Sequence, residues 1–202
     1  MTIHSVHGAL TAKKLGFERA VLSRELTKTQ IEQISKLDIE TEIFVHGALC
    51  MSVSGQCYMS SFIGQRSANR GLCAQTCRLP FSACGNKNRC GLSLKDLSLI
   101  EHIDEIKQTG VSSLKIEGRM KRPEYVAAAV TAYRNAIDGK DYDAETLKAV
   151  FSRNGFTDGY FTEKYTGMFG TRMKDDVLAA KEVLPSVRQL YKSERKITYI
   201  YF

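Results

Sequence analysis

The chain has no tryptophan and only three prolines in 202 residues. None of its apolar runs is long enough to cross a bilayer. Its first residues, MTIHSVHGALTAKKLG, lack the continuous apolar stretch and small-residue cleavage site of a secretory signal. These residues read as neither an export signal nor a spanning helix, and predict a cytoplasmic protein with reduced thiols. No internal repeat is present. Hydrolytic patterns are missing too: there is no HExxH zinc helix, no GxSxG elbow, and no base clearly paired with a serine. Acidic residues are in deficit, 22 against 29 Lys and Arg, for a net charge of +7. That balance favours an anionic partner, nucleic acid foremost, or is simply a basic surface.

What the chain does have is cysteine, and all of it in one place. Cys50, Cys57, Cys73, Cys77, Cys84 and Cys90 lie within a Gly-, Ser- and Arg-rich stretch, residues 47–90, without helical or strand periodicity. Clustered reduced thiols point to a metal or redox centre, and metal binding can order a loop that buries little apolar area. Structural zinc prefers two close pairs. Here only Cys73 and Cys77 are close, with three residues between them, whereas six separate Cys50 from Cys57. Irregular spacing suits an iron–sulfur cluster at least as well, because the cluster is larger than one ion. Cys84 and Cys90 read as spare thiols, with Cys90 as a reserve ligand.

Around the loop, strands alternate with helices. Residues 19–23, 42–46 and 113–117 read as short strands, each with polar groups at its end: Arg24 and Glu25, His46, then Glu117 and Arg119. Helices are predicted up to Gly16, from Thr27 with Gln30 completing a capping box, from Ser93 to Gly110, and from Pro123 to Gly139. In the last of these, Val126, Ala129, Val130, Tyr133 and Ile137 share one face. Such βαβ units predict an α/β fold of the TIM-barrel type, with functional groups at the carboxyl ends of parallel strands. Three strands do not close a barrel, so residues 1–140 read as its C-terminal half. Residues 141–202 read as a helical extension, with helices over 145–151 and 175–195, and the start of a further region, KITYIYF, that alternates like a strand.

Two groups of side chains can carry chemistry. Glu42 and Phe44 share a strand face with His46 by the period of two, and Lys115 and Glu117 share one on the next strand. Glu42, His46, Lys115 and Glu117 are therefore the candidate catalytic groups, with a structural histidine and a plain salt bridge as the alternatives. Arg66, Arg70 and Arg78 surround the second cysteine pair, placed to neutralise a thiolate-bound centre or grip a carboxylate or phosphate. The aromatic and basic stretch from Asn154 to Arg172 could contact bases and phosphates or form a folded aromatic cluster.

The run Glu42-x-Phe44-x-His46-Gly47-Ala48-x-Cys50-x-x-x-Ser54-Gly55-x-Cys57-x-x-Ser60 resembles the signature of the peptidase U32 (collagenase-like) family. Arg66-x-x-Asn69-Arg70-Gly71-x-Cys73-x-x-x-Cys77-Arg78 and SLKIEGRMKRPEYVAAAVTAYRNAID extend the likeness. The resemblance implies a TIM barrel and a 4Fe-4S cluster on Cys50, Cys57, Cys73 and Cys77, with zinc as the alternative and Cys90 as a substitute ligand. It further implies oxygen-independent hydroxylation of RNA, at a tRNA wobble uridine or a 23S rRNA cytidine, with a prephenate-like donor. An accessory electron donor or partner protein is compatible with that chemistry. A dicarboxylate donor needs cationic clamps, for which Arg24, Arg66, Arg70 and Arg119 are the candidates, Arg66 and Arg70 foremost. Two readings compete: a metal-dependent collagenase-like protease, and a non-catalytic metal-stabilised module that docks RNA or protein.

Overall fold

The computed structural model describes residues 3–54, 56–83, 86–119 and 121–192. Helix α1 (Val6–Lys14) leads to strand β1 (Arg19–Val21), helix α2 (Lys28–Ser35) and strand β2 (Glu40–Ala48). The cysteine-rich segment follows with helix α3 (Met59–Gly64), two single 3₁₀ turns at Ala68–Arg70 and Thr76–Arg78, and an antiparallel pair, β3 (Phe81–Ala83) and β4 (Asn86–Arg89). Then come β5 (Asp96–Ser98), a 3₁₀ turn at Ile100–His102, α4 (Ile103–Gln108), β6 (Ser113–Ile116) and α5 (Pro123–Ile137). The rest is α6 (Ala144–Val150), β7 (Phe156–Thr157), α7 (Gly159–Thr162), α8 (Lys174–Val187) and α9 (Gln189–Lys192). The expected strand over 196–202 and the last turn of the helix expected to reach residue 195 lie outside the described residues, as does Cys84.

The expected βαβ units are present. Strand β2 runs parallel to β1 and to β6. Thr27 caps α2 through both halves of the capping box with Gln30, and Pro123 occupies the start of α5, where its missing N–H costs nothing. The fold is a mixed α/β layer with a parallel-rich sheet that stays open among the described residues. Ile43 and Val45 of β2 pack with Ile31, Ile34, Ile103, Ile106, Ala129 and Tyr133 from the surrounding helices in one core.

Two expectations change. The predicted helix from Ser93 starts only after Leu99, because residues 96–98 form β5 antiparallel to residues 46–48 of β2. β1 pairs only with residues 40–42, and the backbone groups beyond need a partner of their own. Leu97 and Ile100 keep helix-like spacing only by coincidence. In α5 the buried face is Tyr125, Ala128, Ala129, Ala132 and Tyr133, while Val126 and Val130 are 40% and 50% exposed. Tyr133 sets that rotation by donating to the Val45 carbonyl at 2.6 Å and accepting from Leu99 N–H at 3.1 Å. Of the two readings of the stretch from Asn154 to Arg172, the folded cluster holds for part of it: Phe161 is buried and Phe156 packs against His46, while Tyr165 and Phe169 stay exposed.

Candidate functional site

The cysteine segment hangs from the carboxyl end of β2 and is fastened by polar contacts. Arg78 donates to the carbonyls of Leu49 and Leu94 and to Ser93 Oγ, tying the turn that holds Cys77 to the chain beside Cys50. Arg119, just past β6, donates to the Gly71 carbonyl at 2.9 Å. Buried Ser60 accepts the Ala74 N–H at 3.1 Å, and Glu25 holds Ser54 through its N–H and hydroxyl. Gly47 permits the close approach of β2 to the chain just past β6. Its φ is +132°, and a Cβ there would sit 2.6 Å from Glu117 Cβ.

These contacts bring Cys50, Cys57, Cys73 and Cys77 to the wall of one cavity of about 490 Å³. Cys73 is exposed and the other three are half-buried. Gln75, in the left-handed region at φ 56°, turns the chain between Cys73 and Cys77 and donates its N–H to Cys73 Sγ at 3.3 Å. Burial pushes the Cys50 thiol up, Cys77 and Cys57 push it further, and Ser52 N–H and Arg24 oppose them. The thiols thus share one local field, which a bound cation would reverse by stabilising thiolates. Among the described residues, no three His, Cys, Asp or Glu side chains are gathered tightly enough to hold a single metal ion. Four thiols around one cavity match the all-thiolate donor set that an iron–sulfur cluster takes. Cys90 lines neither this cavity nor the next.

A second cavity of about 520 Å³ shares Arg24, Cys50, Cys73 and Cys77 with the first and continues past them. Its lining is rich in cations, Arg78, Arg119, Lys121 and Arg153 besides Arg24, with Glu117 the one carboxylate among the described lining residues. Arg24 lies 3.9 Å from the centre of the Phe44 ring and 3.5 Å from Glu117. Behind the wall, Arg153 pairs at 2.5 Å with Asp96, whose side chain is fully buried. Burial pulls the Lys121 ammonium down to about 7; Asp96 opposes this, and Arg153, Arg172 and Arg78 reinforce it. Lys121, Arg153 and Asp96 were not legible as site residues, since nothing in their spacing links them to the cysteines.

The expected site residues divide. Arg24, Glu117 and Arg119 line the second cavity with the cysteines. Arg66 and Arg70 are exposed and line neither cavity. Glu42 pairs with Lys115 at 2.8 Å and accepts from Ser113 Oγ at 2.9 Å, forming an ion pair on the sheet away from the thiols. The Lys115 hydrogen bond lowers the Glu42 pKa, against burial. His46 leaves the face of Glu42 and Phe44 at a bulge between Phe44 and His46, where the alternation of two breaks. It is fully buried among Tyr125, Tyr133 and Phe156, and neither ring nitrogen has a hydrogen-bond partner among the described residues.

Burial lowers the His46 pKa to about 4, assisted by Lys121. Between there and about 6.5 the unfolded chain binds the proton and the folded chain does not, so this stability is present above pH 6.5 and lost as pH falls. The loss attributable to His46 is on the order of 3 kcal/mol over that window. Urea unfolding at stepped pH should show a shallower acid decline for His46→Leu than for the native chain; parallel profiles would refute a neutral buried imidazole.

Residues 1–168 match the family model for peptidase family U32. The chain is 40% identical over 187 residues to an uncharacterized protease of Methanocaldococcus jannaschii, covering 79% of this chain and 46% of that one. It is 40% identical over 148 residues to a tRNA hydroxylation protein of Bacillus subtilis, covering 67% and 35%. It is 41% identical over 143 residues to a 23S rRNA 5-hydroxycytidine synthase of Escherichia coli, covering 67% and 22%. The chain thus spans less than half the length of these relatives. No solved structure matches it. No described helix is long and apolar enough to cross a membrane. With its motif-bearing cysteines on one cavity wall and the family model matched across most of its length, the chain belongs to peptidase family U32.

Proposed function

We propose that this chain carries the cysteine centre of an iron–sulfur-dependent enzyme that hydroxylates RNA without molecular oxygen, at a 23S rRNA cytidine or a tRNA wobble uridine. One observation carries the reading: Cys50, Cys57, Cys73 and Cys77 line one cavity that opens into a second walled by Arg24, Arg78, Arg119, Lys121 and Arg153. A 4Fe-4S cluster on the four thiolates supplies one-electron chemistry when bound. The cationic lining fits a dicarboxylate donor of the prephenate type, with Arg24, Arg119, Lys121 and Arg153 as its clamps. Lys121, near neutrality when the cavity is open, takes up a proton as an anion enters, since an adjacent negative charge favours the ammonium. Glu117 orients Arg24. The parallel run of β1, β2 and β6, with these groups past the strand ends, fits part of a (β/α) barrel.

The relatives named for tRNA and rRNA hydroxylation support an RNA substrate. Proteolysis finds less support in the site. His46 is buried and neutral, and both ring nitrogens of His102 are held by carboxylates, Glu105 and Asp158, each at 2.8 Å. Neither imidazole is placed to activate a serine or cysteine. Nucleoside mass spectrometry of rRNA and tRNA from a deletion strain tests the proposal. A hydroxylated nucleoside should disappear and return on complementation; unchanged RNA from both sources would overturn the reading.

A further inference from the structure

Between Glu42 and Asp96 the chain contains no carboxylate side chain, yet it contains Arg66, Arg70, Arg78, Lys87, Arg89 and Lys95. On the outer surface of this acid-free segment, α3 presents Phe62 at 95%, Tyr58 at 71% and Ile63 at 59% exposure. Large apolar side chains grouped on so short a helix and left in water mark a surface that something covers. The chain then reverses at Gln65, whose φ is 54°, and Arg66 returns beside α3, its N–H donating to the Ser60 carbonyl at 3.1 Å. Arg70 follows in the next 3₁₀ turn, also exposed.

We infer that Tyr58, Phe62, Arg66 and Arg70 form a docking surface for single-stranded RNA. The inference rests on the RNA reading above and gives it a place on the molecule. Exposed aromatic rings and exposed arginines on one short segment, with no carboxylate nearby in sequence, match what a single strand offers: unstacked bases and a phosphate backbone. The position is also right. Tyr58 lines the cysteine cavity, so a strand stacked on α3 brings a neighbouring nucleotide to its mouth. The platform is held in register with the thiols, because buried Ser60 of α3 accepts the N–H of Ala74, adjacent to Cys73. Arg66 and Arg70, which line neither cavity, thereby acquire phosphate contacts in place of the donor clamp.

Fluorescence anisotropy of a labelled single-stranded RNA of about 12 nucleotides, titrated with the anaerobically purified full chain at several salt concentrations, tests this surface. Phe62→Ala and Tyr58→Ala should each weaken binding roughly five-fold or more, as loss of one stacked base does. Arg66→Ala and Arg70→Ala should each flatten the slope of log affinity on log salt by about 0.7, with Arg66→Lys and Arg70→Lys restoring it. Iron content should be unchanged in the Phe62, Arg66 and Arg70 variants, whose side chains are exposed and line neither cavity. If the native chain and the variants bind equally, the RNA lies elsewhere and this surface is refuted while the proposed reaction stands. A Phe62→Ala variant that loses a protein partner but keeps its RNA affinity refutes it as well. Absence of RNA binding by the native chain, together with unaltered nucleosides in the deletion strain, removes both.

Discussion

Replacing any one of Cys50, Cys57, Cys73 or Cys77 by Ala should abolish binding of the iron–sulfur cluster proposed for this site. Anaerobically purified native protein is expected to be brown, with thiolate-to-iron absorption near roughly 400 nm. Each single variant should lose the colour and most of the acid-labile sulfide, because the four thiols lie around one cavity and no other Cys, His, Asp or Glu lines it among the described residues. Cys90→Ala is the internal control. Cys90 is half-buried and outside the cavity wall, so its removal should leave iron stoichiometry intact. Arg78 offers a separate handle. Its guanidinium joins Leu49, beside Cys50, to Leu94, and follows Cys77 directly, so Arg78→Ala should lower iron content without touching a ligand. Colourless native protein with one zinc per chain would reverse the assignment of the metal, and full iron retention in Cys57→Ala would remove that residue from the ligand set.

Asp96→Asn should destabilise the fold by about 3–5 kcal/mol, the cost of leaving a buried charge without its partner. The Asp96 side chain is fully buried, that of Arg153 is 10% exposed, and they meet at 2.5 Å. Asp96 also acts on the Lys121, Arg78 and Arg172 cations, so one carboxylate offsets several positive charges behind the cavity wall. An amide keeps the shape and removes the charge. The unfolding midpoint in urea should fall, and Lys121 should titrate lower still, since the attraction that opposes its burial is gone. Asp96→Asn combined with Arg153→Met should recover part of the lost stability, because an apolar isostere relieves the unpaired guanidinium. A loss below about 1 kcal/mol in the single variant would show that the pair is solvated rather than structural.

The elements that local rules control were legible. Thr27 and Gln30 are a capping box on paper and in space, Pro123 opens α5, and Gly139 ends it at φ +70°. The candidate ligands were legible as well, because thiols are chemically distinctive and their clustering survives any fold. What failed was whatever depended on a partner remote in sequence. Leu97, Ile100, Ile103 and Ile106 look like one helix until β2 claims residues 96–98 for its unpaired end. Val126 and Val130 look like the core face of α5 until the hydroxyl of Tyr133 is drawn to the Val45 carbonyl. His46 looks co-facial with Glu42 until a bulge inserts one residue and turns the ring into the aromatic core.

The sequence by itself therefore determined the α/β alternation, the four clustered thiols and the basic charge, all of which reside in residue types and short spacings. Only the tertiary structure decided which cations face those thiols. Arg66 and Arg70 lie between the two cysteine pairs along the chain, yet both are left in solvent. Lys121 and Arg153, distant in sequence, reach the second cavity because α5 and the chain after α6 pack against β2 and β5, and buried Asp96 holds Arg153 there. The physical reason is that hydrophobic burial and capping act over a few residues and can be read locally. A cavity wall is set instead by where separate elements come to rest, and a buried charge goes where its counter-charge already lies.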